Sequence, residues 1–217
     1  MRISFRTISA AFLIVFAACA STGRAQGQQP APASTTPFPD TSAQHTYAAA
    51  DIRFIAGMIA HHAQALVMAG WASSHGASPS VQTLANRITN AQQDEIALMQ
   101  RWLRDRHQPV PDANPHGMMM NMNGMQHEML MPGMLTESQL KQLDEARSKE
   151  FDRLFLTFMI QHHRGAVTMV NDLFGTNGAA QDITVYKMAS DISADQTTEI
   201  ERMQKMLASA VFSTPIQ

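Results

Sequence analysis

The chain has 217 residues and a net charge of −2, which becomes −4 if Arg2 and Arg6 leave with a leader, so neither nucleic acid nor an anionic membrane surface is an expected partner. Aromatic residues make up only 6% of the chain while methionine reaches 17, so the apolar filling is aliphatic and thioether. Cys19 is the only cysteine, which excludes an internal disulfide and leaves the folded part without a thiolate ligand.

Arg2 and Arg6 followed by the apolar run Ile8 to Ala18 form an export signal over residues 1–20, too short for a stable membrane anchor. Ala18-Cys19-Ala20 fits a small-x-small cleavage site, the favoured reading. The alternative is lipidation of Cys19 through the box Phe16-Ala17-Ala18-Cys19, imperfect because Phe stands where Leu is usual. The expected location is periplasmic or secreted, or anchored through Cys19. Residues 21–46 are rich in Pro, Ala, Ser and Thr, and Pro30, Pro32, Pro37 and Pro39 forbid a helix, so this segment is a disordered or extended tether.

A domain over residues 47–211 follows. Its first helix is predicted from Tyr47 to about Ser73, with Asp51, Phe54, Met58, His61, His62, Ala65 and Met68 on one stripe. His75-Gly76 closes it, and Ser78-Pro79 caps a second helix running to about His107, which ends repeat one (47–107). The connection 108–135 contains eight methionines within the nineteen residues 116–134, and such long connections are functional or disordered. Repeat two (136–211) starts with the capping box Thr136-x-x-Gln139, opening a helix through Arg147. A helix from about Glu150 to Phe174 and another from about Asp182 to Ala210 complete it. No period-two alternation is apparent, so the expected fold is all-α, a four-helix bundle of two helical hairpins.

The hairpins are copies. Asp51, Phe54, Met58, His61, His62, Ala65 and Met68 recur 101 positions later as Asp152, Phe155, Met159, His162, His163, Ala166 and Met169. On the partner helices Gln92 and Glu95 recur 104 positions later as Gln196 and Glu199. Reflecting each hairpin about its turn, at about 1.5 Å per residue, sets Gln92 and Glu95 beside the first His pair and Gln196 and Glu199 beside the second.

The bland reading makes each pair a polar insertion satisfied by its neighbours, with methionine as gap filler. Four buried imidazoles are a recurring cost, about 1–3 kcal/mol for each unsatisfied polar group, and point to a recurring use. Imidazole and thioether together favour soft transition metals, Cu(I) above all, with Ag(I) as its surrogate. Met58, His61, His62 and Met68, with Met159, His162, His163 and Met169, are the candidate ligands in the bundle, and Gln92, Glu95, Gln196 and Glu199 would orient the rings. Proton competition at imidazole would weaken such binding below about pH 6. In the connection, His116, Met118, Met119, Met120, Met122, Met125, His127, Met129, Met131 and Met134 form a chain of low-coordinate soft sites contributing ligands and little packing. Oxidant scavenging by methionine is the competing use.

Asp51 to Ala65 (Asp-Ile-Arg-Phe-Ile-Ala-Gly-Met-Ile-Ala-His-His-Ala-Gln-Ala) and Phe151 to Ala166 (Phe-Asp-Arg-Leu-Phe-Leu-Thr-Phe-Met-Ile-Gln-His-His-Arg-Gly-Ala) resemble the motifs of the bacterial domain of unknown function 305, over about residues 47–208. That resemblance implies a ferritin-like bundle, and periplasmic copper-binding proteins implicated in copper resistance belong to the family. It makes Met58, His61, His62, Met68, Met159, His162, His163 and Met169 copper-site candidates.

The expectation is an exported protein that sequesters or delivers Cu(I) in copper tolerance or homeostasis, without chemical turnover. Its partners would be the metal ion and an unknown copper donor or acceptor protein. The enzyme alternative, a ferritin-like dimetal oxidase, needs Glu-x-x-His on facing helices, and no Glu-x-x-His occurs in the sequence. A metal-free interaction module of the cell envelope is the third reading.

Overall fold

The computed structural model describes residues 46–122 and 125–212, with no side chains described for 119–128 and 210–212. The expected leader, the tether up to His45 and Cys19 lie outside the described residues. Everything described belongs to one unit, residues 43–217.

Five helices follow in order: α1 (Ala49–Gly70), α2 (Pro79–Asp105), α3 (Glu137–Glu145), α4 (Ser148–Phe174) and α5 (Ile183–Phe212). The first two and the last two form the expected hairpins, and α1 packs directly on α4, giving an all-helical four-helix bundle. Ser78 caps α2 with Pro79 in its first turn. Thr136 Oγ1 accepts from the Gln139 N–H at 3.3 Å while Gln139 Oε1 accepts from the Thr136 N–H at 3.0 Å, closing the capping box of α3. That helix ends at Glu145 and α4 starts two residues early at Ser148, so each boundary falls within the usual fraying of helix ends.

The invariant aspartates of the repeat are staples. Asp51 is fully buried, and its carboxylate accepts from the Ala48 N–H at 2.7 Å, closing the first turn of α1, and from the Ala180 N–H at 2.7 Å in the turn before α5. Asp152 accepts from the Ser78 N–H at 3.0 Å, at the start of α2. Each hairpin therefore fastens the turn of the other.

The Met-rich connection departs from expectation. Met118–Met122 (β1) and Met125–Met129 (β2) pair as an antiparallel hairpin. Alternate rungs join Met118 to Met129, Met120 to His127 and Met122 to Met125. A period-two pattern of Met and His was thus present at 118, 120, 122, 125, 127 and 129, disguised by further methionines between.

Nor is the whole connection loosely held. Gln64, fully buried on α1, donates to the carbonyls of Pro115 and Leu135, both at 3.0 Å, and accepts from the Leu135 N–H at 2.6 Å, pinning both ends of the connection. Met134 and Leu135 are buried. The segment Pro132-Gly133 lies against α4 where a Cβ on Gly165 would fall 1.9 Å from the Pro132 oxygen, and one on Gly133, whose φ is +78°, 2.6 Å from the Gly165 Cα. Only glycine permits that approach and that φ. The expectation that residues 116–134 add little packing is therefore corrected: residues 131–135 form a strap that is part of the core.

Gly165→Ala forces the strap off α4 and is expected to destabilise the protein by about 1–3 kcal/mol or more, seen as a lower denaturant midpoint. An unchanged midpoint would remove the strap from the core.

Candidate metal centre

All four paired histidines are fully buried. They meet where α1 crosses α4: the His61 and His162 rings touch with centroids 3.8 Å apart and their planes tilted by 37°, and each is 6.3 Å from its chain neighbour, His62 or His163. This polar layer divides the apolar core. One cluster holds Met68, Phe151, Phe155, Met159 and Met203, and the other holds Phe54, Ile55, Met58, Met99 and Met169. The helices therefore run antiparallel across the layer, and the thioethers group differently from the sequence reading. Met58 shares a cluster with Met169, and Met68 with Met159. Met58 and Met68 are ten residues, about 15 Å of helix, apart.

The outer nitrogens of three rings are committed. His62 Nε2–H donates to Glu95 Oε2 at 2.7 Å, and His163 Nε2–H donates to Glu199 Oε2 at 2.7 Å. His61 Nε2–H donates to the Pro132 carbonyl at 3.0 Å. A carbonyl or carboxylate can only accept, so Nε2 carries the proton and the Nδ1 lone pair is free in each of these rings. Among the described residues, the buried side-chain nitrogens and oxygens without a hydrogen-bond partner are His61 Nδ1, His62 Nδ1, His163 Nδ1, both nitrogens of His162, both amide atoms of Gln92 and Gln196 Oε1. All belong to the repeated motif. Gln92 and Gln196 do not orient the rings as expected, for neither amide bonds a histidine; Glu95, Glu199 and the Pro132 carbonyl do.

Burial, followed by the neighbouring His62, lowers the His61 pKa from 6.5 to about 3. Burial, followed by His61, drives His162 well below the ordinary imidazole value. His163 is lowered by burial against the opposing pull of Glu199. His61, His162 and His163 are thus held neutral, and proton competition at His61 sets in far below the pH of about 6 expected from sequence.

Such rings, with the far nitrogen fixed by a carboxylate, have the arrangement in which histidine binds metals. No three His, Cys, Asp or Glu side chains converge on a common point among the described residues. Buried imidazole nitrogens without partners are donors of the kind that transition metals take. Of the candidates in the connection, His116 is exposed, Met118 and Met131 are half-buried, and Met129 is 41% exposed. Met134 Sδ lies 3.3 Å from the Met131 backbone nitrogen, which donates to it. For Met119, Met120, Met122, Met125 and His127 only strand positions are described.

Sequence reasoning missed Gln64, the strap and its carbonyl to His61. It also assigned no role to His75, whose Nε2 lies 2.9 Å from Asp144 Oδ1 and ties α3 to the turn after α1.

Fold and site define a duplicated four-helix bundle with a buried layer of histidine at its centre. The profile of the domain of unknown function 305 (DUF305) matches residues 51–207, and the chain belongs to this family. Among solved structures, a DUF305 fragment from Deinococcus radiodurans is similar at 26% identity with a TM-score of 0.62, covering 75% of this chain and 98% of that one. A DUF305 protein from Streptomyces coelicolor inferred to be secreted is similar at 28% identity and TM-score 0.61, over 74% and 93% of the two chains. CopM in its Cu(I)-bound form is similar at 28% identity and TM-score 0.55, over 73% and 96%; CopM has also been solved with Cu(II) and with silver bound. No protein of curated function matches the sequence.

Because the unfolded chain takes up protons below about pH 6.5 that the buried His61 refuses until about pH 3, the metal-free protein loses stability as pH falls through that window. The loss is on the order of a few kcal/mol. His162→Leu removes two unpartnered nitrogens at similar volume, so the metal-free variant should be no less stable at pH 7 and should lose less on acidification. Chemical denaturation across pH 4–8 measures both; a variant weakened at pH 7 by more than about 1 kcal/mol would show the ring to be structural.

Proposed function

We propose that this is an exported Cu(I)-binding protein that sequesters or delivers the ion in copper tolerance or homeostasis and performs no chemical turnover. The observation that carries the reading is the layer of buried imidazoles whose Nδ1 atoms, and both nitrogens of His162, lack partners. His61, His62, His162 and His163 would supply nitrogens to Cu(I) held as cargo by few ligands at a time, with Met58 on one side of the layer and Met159 on the other as candidate thioethers. Glu95 and Glu199 hold His62 and His163 in the tautomer that leaves Nδ1 free to bind. The similarity to CopM, solved with Cu(I) and silver bound, supports copper as the metal and Ag(I) as a probe. The likeness to a DUF305 protein inferred to be secreted supports export to the periplasm or beyond. A copper donor or acceptor protein is the partner such a carrier requires. The dimetal oxidase reading loses ground, since Glu95 and Glu199 are each engaged by a histidine and no Glu-x-x-His supplies others.

Anaerobic competition titration is expected to give Cu(I) and Ag(I) binding that Zn(II) at equal concentration does not displace. Displacement by Zn(II) would defeat the assignment. Glu95→Gln with Glu199→Gln should weaken binding about 10- to 100-fold, the effect of disturbing groups that orient metal-binding histidines.

With residues 119–128 replaced by a Gly/Ser linker, which spares the strap, replacing all four histidines by Leu should lower the remaining Cu(I) uptake and remove all nitrogen ligation from it, as read by X-ray absorption. Equal uptake with all four gone would leave the doubled motif as architecture.

A further inference from the structure

We propose a second soft-metal site, made of thioether alone, where Met118, Met131 and Met169 converge over Gly57, and that Cu(I) enters the buried histidine layer through it. It rests on the preceding reading for its destination, though not for its own binding.

From the point that a Cβ on Gly57 would occupy, Met131 Sδ is 3.1 Å away, Met169 Cε 3.4 Å and Met118 Sδ 3.5 Å. Three methionines from three separate parts of the chain, the start of the hairpin, the strap and α4, thus lie in van der Waals reach of one point. Glycine is a poorer helix former than alanine, and at mid-helix it needs a reason. Here the missing side chain provides the room in which the thioethers meet. The other repeat has no counterpart: the position 101 residues on is Phe158, buried in the core. Glycine therefore occurs on the one copy of the helix over which the Met-rich connection passes.

The place is suited to entry. The histidine layer is fully buried, so an ion reaching it needs a path. Beside the cluster a surface cleft of about 220 Å³ is lined by Phe54, Arg53, Pro132, Met169 and Asp172. Gly57 is one helical turn, about 6 Å of rise, from His61. Met131 immediately precedes Pro132, whose carbonyl holds His61 Nε2–H. A shift of the strap that moves Met131 therefore also frees the acceptor that fixes His61. Transfer from thioether to imidazole is ligand exchange, with no change of oxidation state.

The test uses the full mature chain and the triple variant Met118→Leu, Met131→Leu, Met169→Leu, which nearly conserves volume, with Gly57→Ala as a second variant in which the new Cβ meets Met131 Sδ. Anaerobic Cu(I) titration counts the ions, X-ray absorption gives sulfur and nitrogen ligand numbers, and stopped-flow transfer from a Cu(I) chelator gives the loading rate. The triple variant should bind one Cu(I) fewer, lose sulfur but not nitrogen ligation, and load at least tenfold more slowly. Its affinity at the nitrogen-ligated site should change less than threefold. Full stoichiometry with an unchanged loading rate overturns the proposal. If circular dichroism shows the triple variant misfolded, Gly57→Ala decides: the same Cu(I) count and rate as the parent overturns the proposal, and slower loading supports it. A parent chain with sulfur ligation only would defeat the histidine reading and leave the thioether site standing.

Discussion

The close contact of the His61 and His162 rings at the crossing of α1 and α4 sets the terms for the rest of the molecule. Two rings 3.8 Å apart are buried at little electrostatic cost only while both stay uncharged, and burial holds His61, His162 and His163 neutral. Their free nitrogens remain a burden. Among the described residues eight buried polar atoms lack a partner, and each such atom costs about 1–3 kcal/mol. The apolar clusters above and below the layer must offset that cost. Any ligand that binds those lone pairs in the folded state alone stabilises the fold by mass action, so site and stability are linked.

Duplication explains how such a layer is held in register. Each repeat contributes a buried His pair, a carboxylate that orients one ring, and an aspartate that fastens the opposite turn. The bonds are reciprocal, so a displacement of one hairpin strains both staples. α1 is long and apolar enough to cross a membrane, yet most of it is buried inside the bundle, where it packs against α2, α4 and the connection.

The connection breaks the symmetry. At equivalent positions of the two repeats stand Gln64, which pins both ends of the connection, and Gly165, on which the strap rests. Gly57 and Phe158 are likewise equivalent in sequence and opposite in use, one opening space towards methionine and the other filling the core. Two faces of one duplicated helix have thereby become different surfaces, with the strap on one side of the histidine layer.

The sequence alone determined the helices, the two hairpins and the presence of buried histidine on each, because the 3.6-residue periodicity and the 101-residue displacement are local patterns along the chain. It also set Glu95 and Glu199 beside their rings, since an antiparallel hairpin is nearly a reflection about its turn. Only the tertiary structure decided that the two His pairs form one layer, that Met58 groups with Met169 and Met68 with Met159, and that Pro132 closes on His61. Those contacts depend on the crossing of α1 over α4 and on where a long connection comes to rest. Gln92 marks the difference. Its place on the helix was legible, but its lack of any partner follows from the rotation of two packed helices, which no spacing within either helix records.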